Sequence, residues 1–336
     1  MKYYMLLWPH ANARYQNESI KLAESELRLM LDVFEPCAQI SRAASLDLPA
    51  LLIDLPDEMS GALKACIARH SLMYGLFEGR EDGLLRPVGG RAPAFVGSDL
   101  PGILKYKGKT NELFLQLLIN AALMSSDFAR VGEQRLELLD PMCGRGTTLF
   151  VAANYGWNAS GTDIDRGDLA EAEKFLKRYF EFHRMKHALN RESRTTPEGG
   201  VSLMTFSFGR TPEAYKAGDV SLLRLANVDA ARTRAVFGRG KAHVIACDLP
   251  YGVQHAAVGA RPEQLLKKVL PAWRETLKRG GTAAISFNAQ TLKARTVREL
   301  MAEAGFEVMR GGAYDGFEHW VEQAVTRDIV IGRRAD

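Results

Sequence analysis

Apolar and polar positions along this chain alternate between two rhythms, and the order of those rhythms predicts its elements. In residues 1–85, short apolar stretches at Tyr3–Trp8, Ala38–Ser45, Leu51–Leu55 and Leu72–Phe77 predict strands. Between them, Ile20, Leu22, Leu27 and Met30 recur at roughly helical spacing and predict a helix over Glu18–Leu31. A second helix is expected over Asp57–His70, with Asp57 as its N-cap. The resulting β-α-β-β-α-β order is that of the ferredoxin-like split βαβ unit.

Glycine and proline then punctuate the chain from Gly79 to Gly102, and residues 86–102 read as a linker. Beyond it a helix is expected over Asn111–Met124. Strands follow at Leu136–Leu139, Asn158–Thr162, Val244–Cys247 and Thr282–Phe287, and helices at Thr148–Tyr155, Leu169–His187 and Thr291–Ala304. Phe306–Met309 and Ala324–Ile331 are expected to close the chain as an antiparallel pair. Repeated β-α units of this length imply a doubly wound α/β sheet over residues 103–336, with helices on both faces. Residues 188–240 are polar, rich in Gly and Arg and without a clear period, and are expected to form a surface insertion.

A chain of 336 residues, 46% hydrophobic and 25% charged, has ample material for this two-domain plan. Its net charge of +4 permits a polyanionic partner without demanding one. Cys37, Cys66, Cys143 and Cys247 lack zinc-site or redox spacing and are read as reduced thiols, so no metal site is expected. The first residues carry no cleavage-site pattern and no apolar run reaches membrane-spanning length, so a soluble cytoplasmic protein is expected.

Two strings bear chemistry. The first is Asp140-Pro141-Met142-Cys143-Gly144-Arg145-Gly146-Thr147-Thr148, just after an apolar strand. In open α/β sheets ligands sit beyond the carboxyl ends of the strands. Leu149 replaces the third glycine of a dinucleotide fingerprint, and the Gly-Lys-Ser/Thr of a phosphate loop is absent. A glycine turn preceded by an acid suits a ligand bearing an amine, and the ammonium of S-adenosylmethionine could pair with Asp140. The next strand ends in Gly161-Thr162-Asp163-Ile164-Asp165, where Asp163 is placed to accept both ribose hydroxyls. Asp165 is the second choice, or else a helix cap. A third acid, for an adenine amino group, should follow the third strand. Asp229 is the better candidate and Asp219 the other.

The second string is Asp248-Leu249-Pro250-Tyr251. An exocyclic base amine is a poor nucleophile because its lone pair is delocalised into the ring. Asp248 and a main-chain carbonyl, of Leu249 or Pro250, could hold its two N–H groups and favour a pyramidal nitrogen. Tyr251 offers a face on which to stack the base, a contact worth about 1–3 kcal/mol. His183 and His187, four residues apart, lack the Glu of a metalloprotease pattern and read as part of a solvated basic face. His255 reads as an ordinary loop residue.

These residues together resemble the amino-methyltransferase branch of class I S-adenosylmethionine enzymes. The similarity is greatest to tRNA guanine-N2 methyltransferases of the position-ten type, with Lys105-Tyr106-Lys107-Gly108-Lys109-Thr110-Asn111, Tyr251-Gly252-Val253-Gln254-His255 and the ferredoxin-like start as further shared features. The resemblance implies a class I, Rossmann-like fold and a cofactor site of Thr110, Asp140, Cys143, Gly144, Gly146, Thr147, Asp163, Ile164 and Asp229. It implies Asp248, Pro250 and Tyr251 at the reacting amine, and structured RNA, tRNA foremost, as partner; some members of the group also need an activator subunit. Two departures stand out. Residues 79–102 are too short for a THUMP domain, and Leu249 stands where the family usually has Pro. Methylation of DNA at adenine N6 or cytosine N4, and an inactive RNA-binding module, are the alternative readings.

Overall fold

The computed structural model describes residues 1–10, 12–43, 48–130, 134–196, 199–250 and 261–336. The first unit contains β1 (Lys2–Leu7), α1 (Ala13–Phe34), β2 (Gln39–Arg42), β3 (Ala50–Asp54), α2 (Gly61–Ile67), β4 (Met73–Gly79) and β5 (Leu85–Gly90). Its sheet runs β2-β3-β1-β4-β5, every pairing antiparallel. Strand periodicity turns Tyr3, Met5 and Leu7 inward, where they pack with Leu27 and Leu31 of α1 and Leu63 and Ile67 of α2. Helix α1 starts earlier than its apolar spacing implies because Asn12 caps it, accepting from the N–H groups of Arg14 and Tyr15. Ser60, not Asp57, caps α2. Strand β5 was expected to be linker; Pro87 and its neighbouring glycines read as punctuation, but β5 is an edge strand, where proline is tolerated.

The second unit follows with α3 (Leu100–Ile103), α4 (Glu112–Met124), β6 (Glu137–Asp140), α5 (Thr147–Asn154), β7 (Asn158–Asp163) and α6 (Arg166–Phe182). Next come β8 (His187–Thr196), β9 (Gly199–Phe208), α7 (Pro212–Lys216), β10 (Ser221–Asn227), α8 (Thr233–Phe237) and β11 (Ala242–Asp248). The chain ends with α9 (Pro262–Thr276), β12 (Leu277–Asn288), α10 (Ala294–Glu303), β13 (Glu307–Val308), β14 (His319–Glu322) and β15 (Val325–Arg333).

Strands β10, β7, β6, β11 and β12 are parallel neighbours, and β15 runs antiparallel between β12 and β13. β11 is buried along its length, and Val244–Cys247 within it is a continuous run of small and apolar residues, as a strand covered on both faces requires. One face packs Leu118, Phe150 and Leu176 of α4, α5 and α6. The other packs Leu266, Leu270 and Trp273 of α9 with Val297 and Met301 of α10. Helix α9 was missed in the sequence because Pro271 interrupts it; the proline sits on the exposed side, so the carbonyl it leaves without a donor faces water. The expected surface insertion is also corrected. Strands β8 and β9 pair antiparallel and β9 pairs with β10, so they extend the sheet rather than leave it.

A buried polar network joins the two units. The Glu26 carboxylate, 1% exposed, accepts from the Ser71 amide and hydroxyl and from Asn120 Nδ2 of α4 at 2.7 Å. The Tyr155 hydroxyl donates to Asn120 Oδ1 at 2.8 Å, and Gln116 of α4 donates to the Arg69 carbonyl. Removing the carboxylate strands buried donors on both sides, and each such loss costs about 1–3 kcal/mol. Glu26→Ala is therefore expected to lower the stability of the whole chain by about that amount per orphaned donor, with Glu26→Gln less damaging, as read by urea unfolding. Equal midpoints for Glu26→Ala and wild type would contradict this role.

Candidate active site

The carboxyl ends of β6, β7 and β11 each carry an aspartate. Asp140 closes β6, Asp163 closes β7 and Asp248 closes β11, and β6 lies between the other two strands. Between Asp140 and α5 the chain makes a tight loop in which Gly144 (φ 49°) and Gly146 (φ 84°) take the left-handed conformation. The loop is fastened to β7 by the Cys143 amide donating to the Thr162 carbonyl at 2.9 Å and the Thr162 hydroxyl donating to the Pro141 carbonyl at 2.6 Å. Gly161 allows this closeness, since a Cβ there would lie 2.6 Å from Cys143 Sγ. Cys143 is buried, and burial pushes its thiol well above the usual range, so it acts as packing rather than as a nucleophile.

Asp163 accepts from the Gly144 amide through Oδ2 and from the Asp165 amide through Oδ1, each at 2.8 Å. Each oxygen has a further lone pair, the disposition required to receive two hydroxyls. Burial raises its pKa, against the lowering effect of those amides. Asp165 caps α6, accepting from Gly167 and Asp168, which answers its open role. Ile164 beside it is an exposed large apolar residue, 59% accessible, at the rim of the strand ends. Thr147 begins α5, its hydroxyl 3.4 Å from that of Tyr106, and the Arg145 guanidinium lies over the Tyr106 ring while pairing with Asp168. These contacts clamp the Lys105–Asn111 run onto the glycine loop.

Asp140 is 2% exposed. Burial, with added repulsion from Asp163 and Asp248, pushes its carboxyl up to about 7, although the Thr148 hydroxyl and the Met142 amide oppose the shift. Among the described residues no cation pairs with it, and an ammonium would favour its ionised form. Asp229 follows β10 at the same edge of the sheet. Its carboxylate accepts from the Ala231 amide and pairs with Lys268 at 2.7 Å. Burial raises its pKa, but the Lys268 partnership and the amide outweigh that, and the net shift is downward. Asp219 lies at the opposite end of β10, paired with Arg135, and does not join the other acids.

Asp248 is held from two sides: the Thr110 hydroxyl donates to Oδ2 at 2.6 Å and Arg327 lies 3.5 Å from the same oxygen. Thr110 therefore meets the acid of the second string rather than the glycine loop. Arg327 was missed in the sequence: it reaches Asp248 only through the antiparallel register of β15, which sets it opposite Asn288 at the end of β12. Its guanidinium also lies 4.3 Å from the centroid of Phe114, at the start of α4. Leu249 donates its amide to the Ser286 carbonyl at 2.9 Å and buries its side chain among Leu266 and Phe287, so the core has a use for leucine where proline was expected. Pro250 is half-buried directly after it. Tyr251, and His255 beyond it, lie outside the described residues.

Topology, glycine loop and acids define a class I methyltransferase, and the cofactor of that class is S-adenosylmethionine. The chain belongs to the UPF0020 family, described as an RMKL-like methyltransferase domain, which matches residues 118–314. No curated protein matches it. Among solved structures it is similar to the rRNA methyltransferase aviRa from Streptomyces viridochromogenes at 17% identity, covering 72% of this chain and 92% of that one with a TM-score of 0.42. It is also similar to the magnesium protoporphyrin IX methyltransferase ChlM from Synechocystis PCC 6803 at 17% identity, covering 68% and 86% respectively with a TM-score of 0.39. Among the described residues no helix is long and apolar enough to cross a membrane, and no cluster of His, Cys, Asp and Glu is placed to hold a metal.

The residue types suit the cofactor: Asp140 could take its ammonium and Asp163 its ribose hydroxyls, Ile164 could offer an apolar surface, and Asp229, the candidate for the adenine amino group, follows β10 already paired with Lys268. Two outcomes follow. Asp163→Ala should weaken S-adenosylmethionine binding by about 1–3 kcal/mol in calorimetry, and unchanged affinity would contradict the ribose role. The second concerns pH. The Asp140 pKa lies above its unfolded value, so the native state binds the extra proton between the two values and unliganded stability falls as pH rises toward about 7. An ammonium pairs only with the ionised form. Thermal stabilisation by S-adenosylmethionine should thus grow from about pH 6 to about pH 8 and lose this pH dependence in Asp140→Asn; a flat wild-type profile would contradict the pairing.

Proposed function

We propose that this chain methylates an exocyclic amine of a base in structured RNA, with guanine N2 of tRNA as the target. The observation that carries the reading is Asp248, an oriented carboxylate one strand away from the cofactor loop and fixed by Thr110 and Arg327. Bound S-adenosylmethionine supplies an electrophilic methyl group on a sulfonium. The protein's part is to hold the acceptor. Asp248 takes one N–H of the amine, and the carbonyl of Leu249 or Pro250 takes the other. That drains the conjugation which makes the nitrogen a poor nucleophile. On accepting the methyl group the amine would become positively charged beside Asp248, and one of its protons would pass to solvent, directly or by way of the Asp248 carboxylate. Pro250 shapes the turn that presents the carbonyl, and Tyr251 is assigned to stacking the base.

The shape of residues 188–240 favours RNA over DNA. A DNA enzyme would need this segment as a target-recognition domain, but among the described residues β8, β9 and β10 are committed to the sheet, and the short helices α7 and α8 and a 3-10 turn at Ala230–Arg232 accompany them. The inactive-module reading is disfavoured by the intact set of Asp140, Gly144, Gly146, Asp163 and Asp248. An activator subunit remains a proposal of the same kind as tRNA itself.

With total tRNA as acceptor, Asp248→Ala should slow methyl transfer by about 10²–10³ while S-adenosylmethionine affinity stays near wild type. Tyr251→Phe should keep most activity and Tyr251→Ala should chiefly weaken RNA capture. A wild-type transfer rate in Asp248→Ala would remove the mechanism.

A further inference from the structure

The helices of the N-terminal unit cover one face of its sheet, and the opposite face carries a row of side chains that the proposed chemistry does not use. Cross-strand register sets Ser41 opposite Leu52, Leu52 opposite Tyr4, Tyr4 opposite Phe77 and Phe77 opposite Pro87, one residue from each strand. Residues directly opposite share a face. Tyr4, Leu52 and Phe77 are all half-buried, outside the core beneath the sheet.

Two glycines shape this row. A Cβ on Gly75 would lie 3.0 Å from the Phe77 ring, and one on Gly79 would lie 2.8 Å from the Tyr4 ring. Each aromatic side chain is therefore laid over bare backbone of β4. Further along β1 and β4, a break in register between Leu6 and Leu7 leaves Tyr74 opposite no residue of β1. Tyr74 is 55% exposed and meets Trp8, 42% exposed, edge to face at 4.8 Å.

We propose that this face is a stacking platform for unpaired nucleotides of the RNA substrate. The proposal rests on the RNA reading above and deepens it. RNA-recognition motifs use a sheet of the same β-α-β-β-α-β order, with aromatic residues stacking two or three bases. Five strands at about 4.8 Å spacing give a row roughly 19 Å long, which accommodates that number. The polar side chains exposed on the platform include Gln39 and Ser41, suited to base edges, and Lys2, which stands at its margin opposite Asp54.

The test uses the full chain, a fluorescent oligouridine of about ten nucleotides and an RNA duplex of equal length, both followed by anisotropy. Tyr4→Leu with Phe77→Leu keeps the apolar bulk but removes the π faces, and should weaken oligouridine binding about tenfold or more, duplex binding far less. Tyr4→Phe should bind as wild type. In transfer to total RNA the double variant should raise KM and spare kcat. Should the double variant not fold, oligouridine should still quench Trp8 emission in wild type, with that quenching lost in Trp8→Phe. The platform is overturned if wild type fails to bind oligouridine, or if the double variant binds it equally well. It is also overturned if the double variant's defect is loss of self-association, which would make the face a protein interface. Oligouridine binding lost in the double variant, in a wild type that methylates no RNA, would keep the platform and remove the methylation reading.

Discussion

Burial of a carboxylate is the constraint around which the site is organised: Asp140, 2% exposed and on the strand between those of Asp163 and Asp248, has its pKa raised to about 7 chiefly by loss of water, and repulsion from the two other acids adds to the rise. The surrounding structure supplies what water no longer can. Backbone amides of Met142, Gly144 and Asp165 serve Asp140 and Asp163, and Thr110 with Arg327 serves Asp248. Among the described residues no cation pairs with Asp140, and the ammonium of S-adenosylmethionine would bring that charge.

Helix α4 carries this arrangement across the molecule. Asn111 caps it directly after Thr110, so the helix start is fixed where Asp248 must be held. One turn in, Phe114 supports Arg327, and further along Gln116 and Asn120 close the network around Glu26 and the Arg69 carbonyl. A helix of 13 residues spans about 20 Å, and this one joins the catalytic acid to the N-terminal unit over that length. The α1–β14 contact through Tyr15 and Trp320 makes the same connection on another side. The N-terminal unit is therefore held in a defined position relative to the strand ends.

Much of this was legible in the sequence, for identifiable reasons. Apolar strands followed by glycine and acid revealed the carboxyl edge of the sheet, because there short-range geometry and chemistry coincide: Gly144 and Gly146 are needed for the turn, and Asp140 and Asp163 end their strands. The split βαβ start was legible from alternation alone. What escaped depended on long-range register or on residues that usually signal breaks. Arg327 lies 79 positions from Asp248, and only the antiparallel placement of β15 unites them. Pro271 concealed α9 and Pro87 concealed β5, each tolerated because its missing donor would face solvent or a sheet edge. The β8–β9 pair looked irregular because one of its strands is an exposed edge with little apolar alternation.

The central claim is that an exocyclic base amine in RNA receives the methyl group. Its most direct test is transfer of a labelled methyl from S-adenosylmethionine, by the purified full chain, to total RNA and total DNA in parallel, with the products digested to nucleosides and identified. The account predicts label in RNA, as N2-methylguanosine, concentrated in the tRNA fraction. Label on a ring carbon or a ribose oxygen, or label confined to DNA, would contradict it.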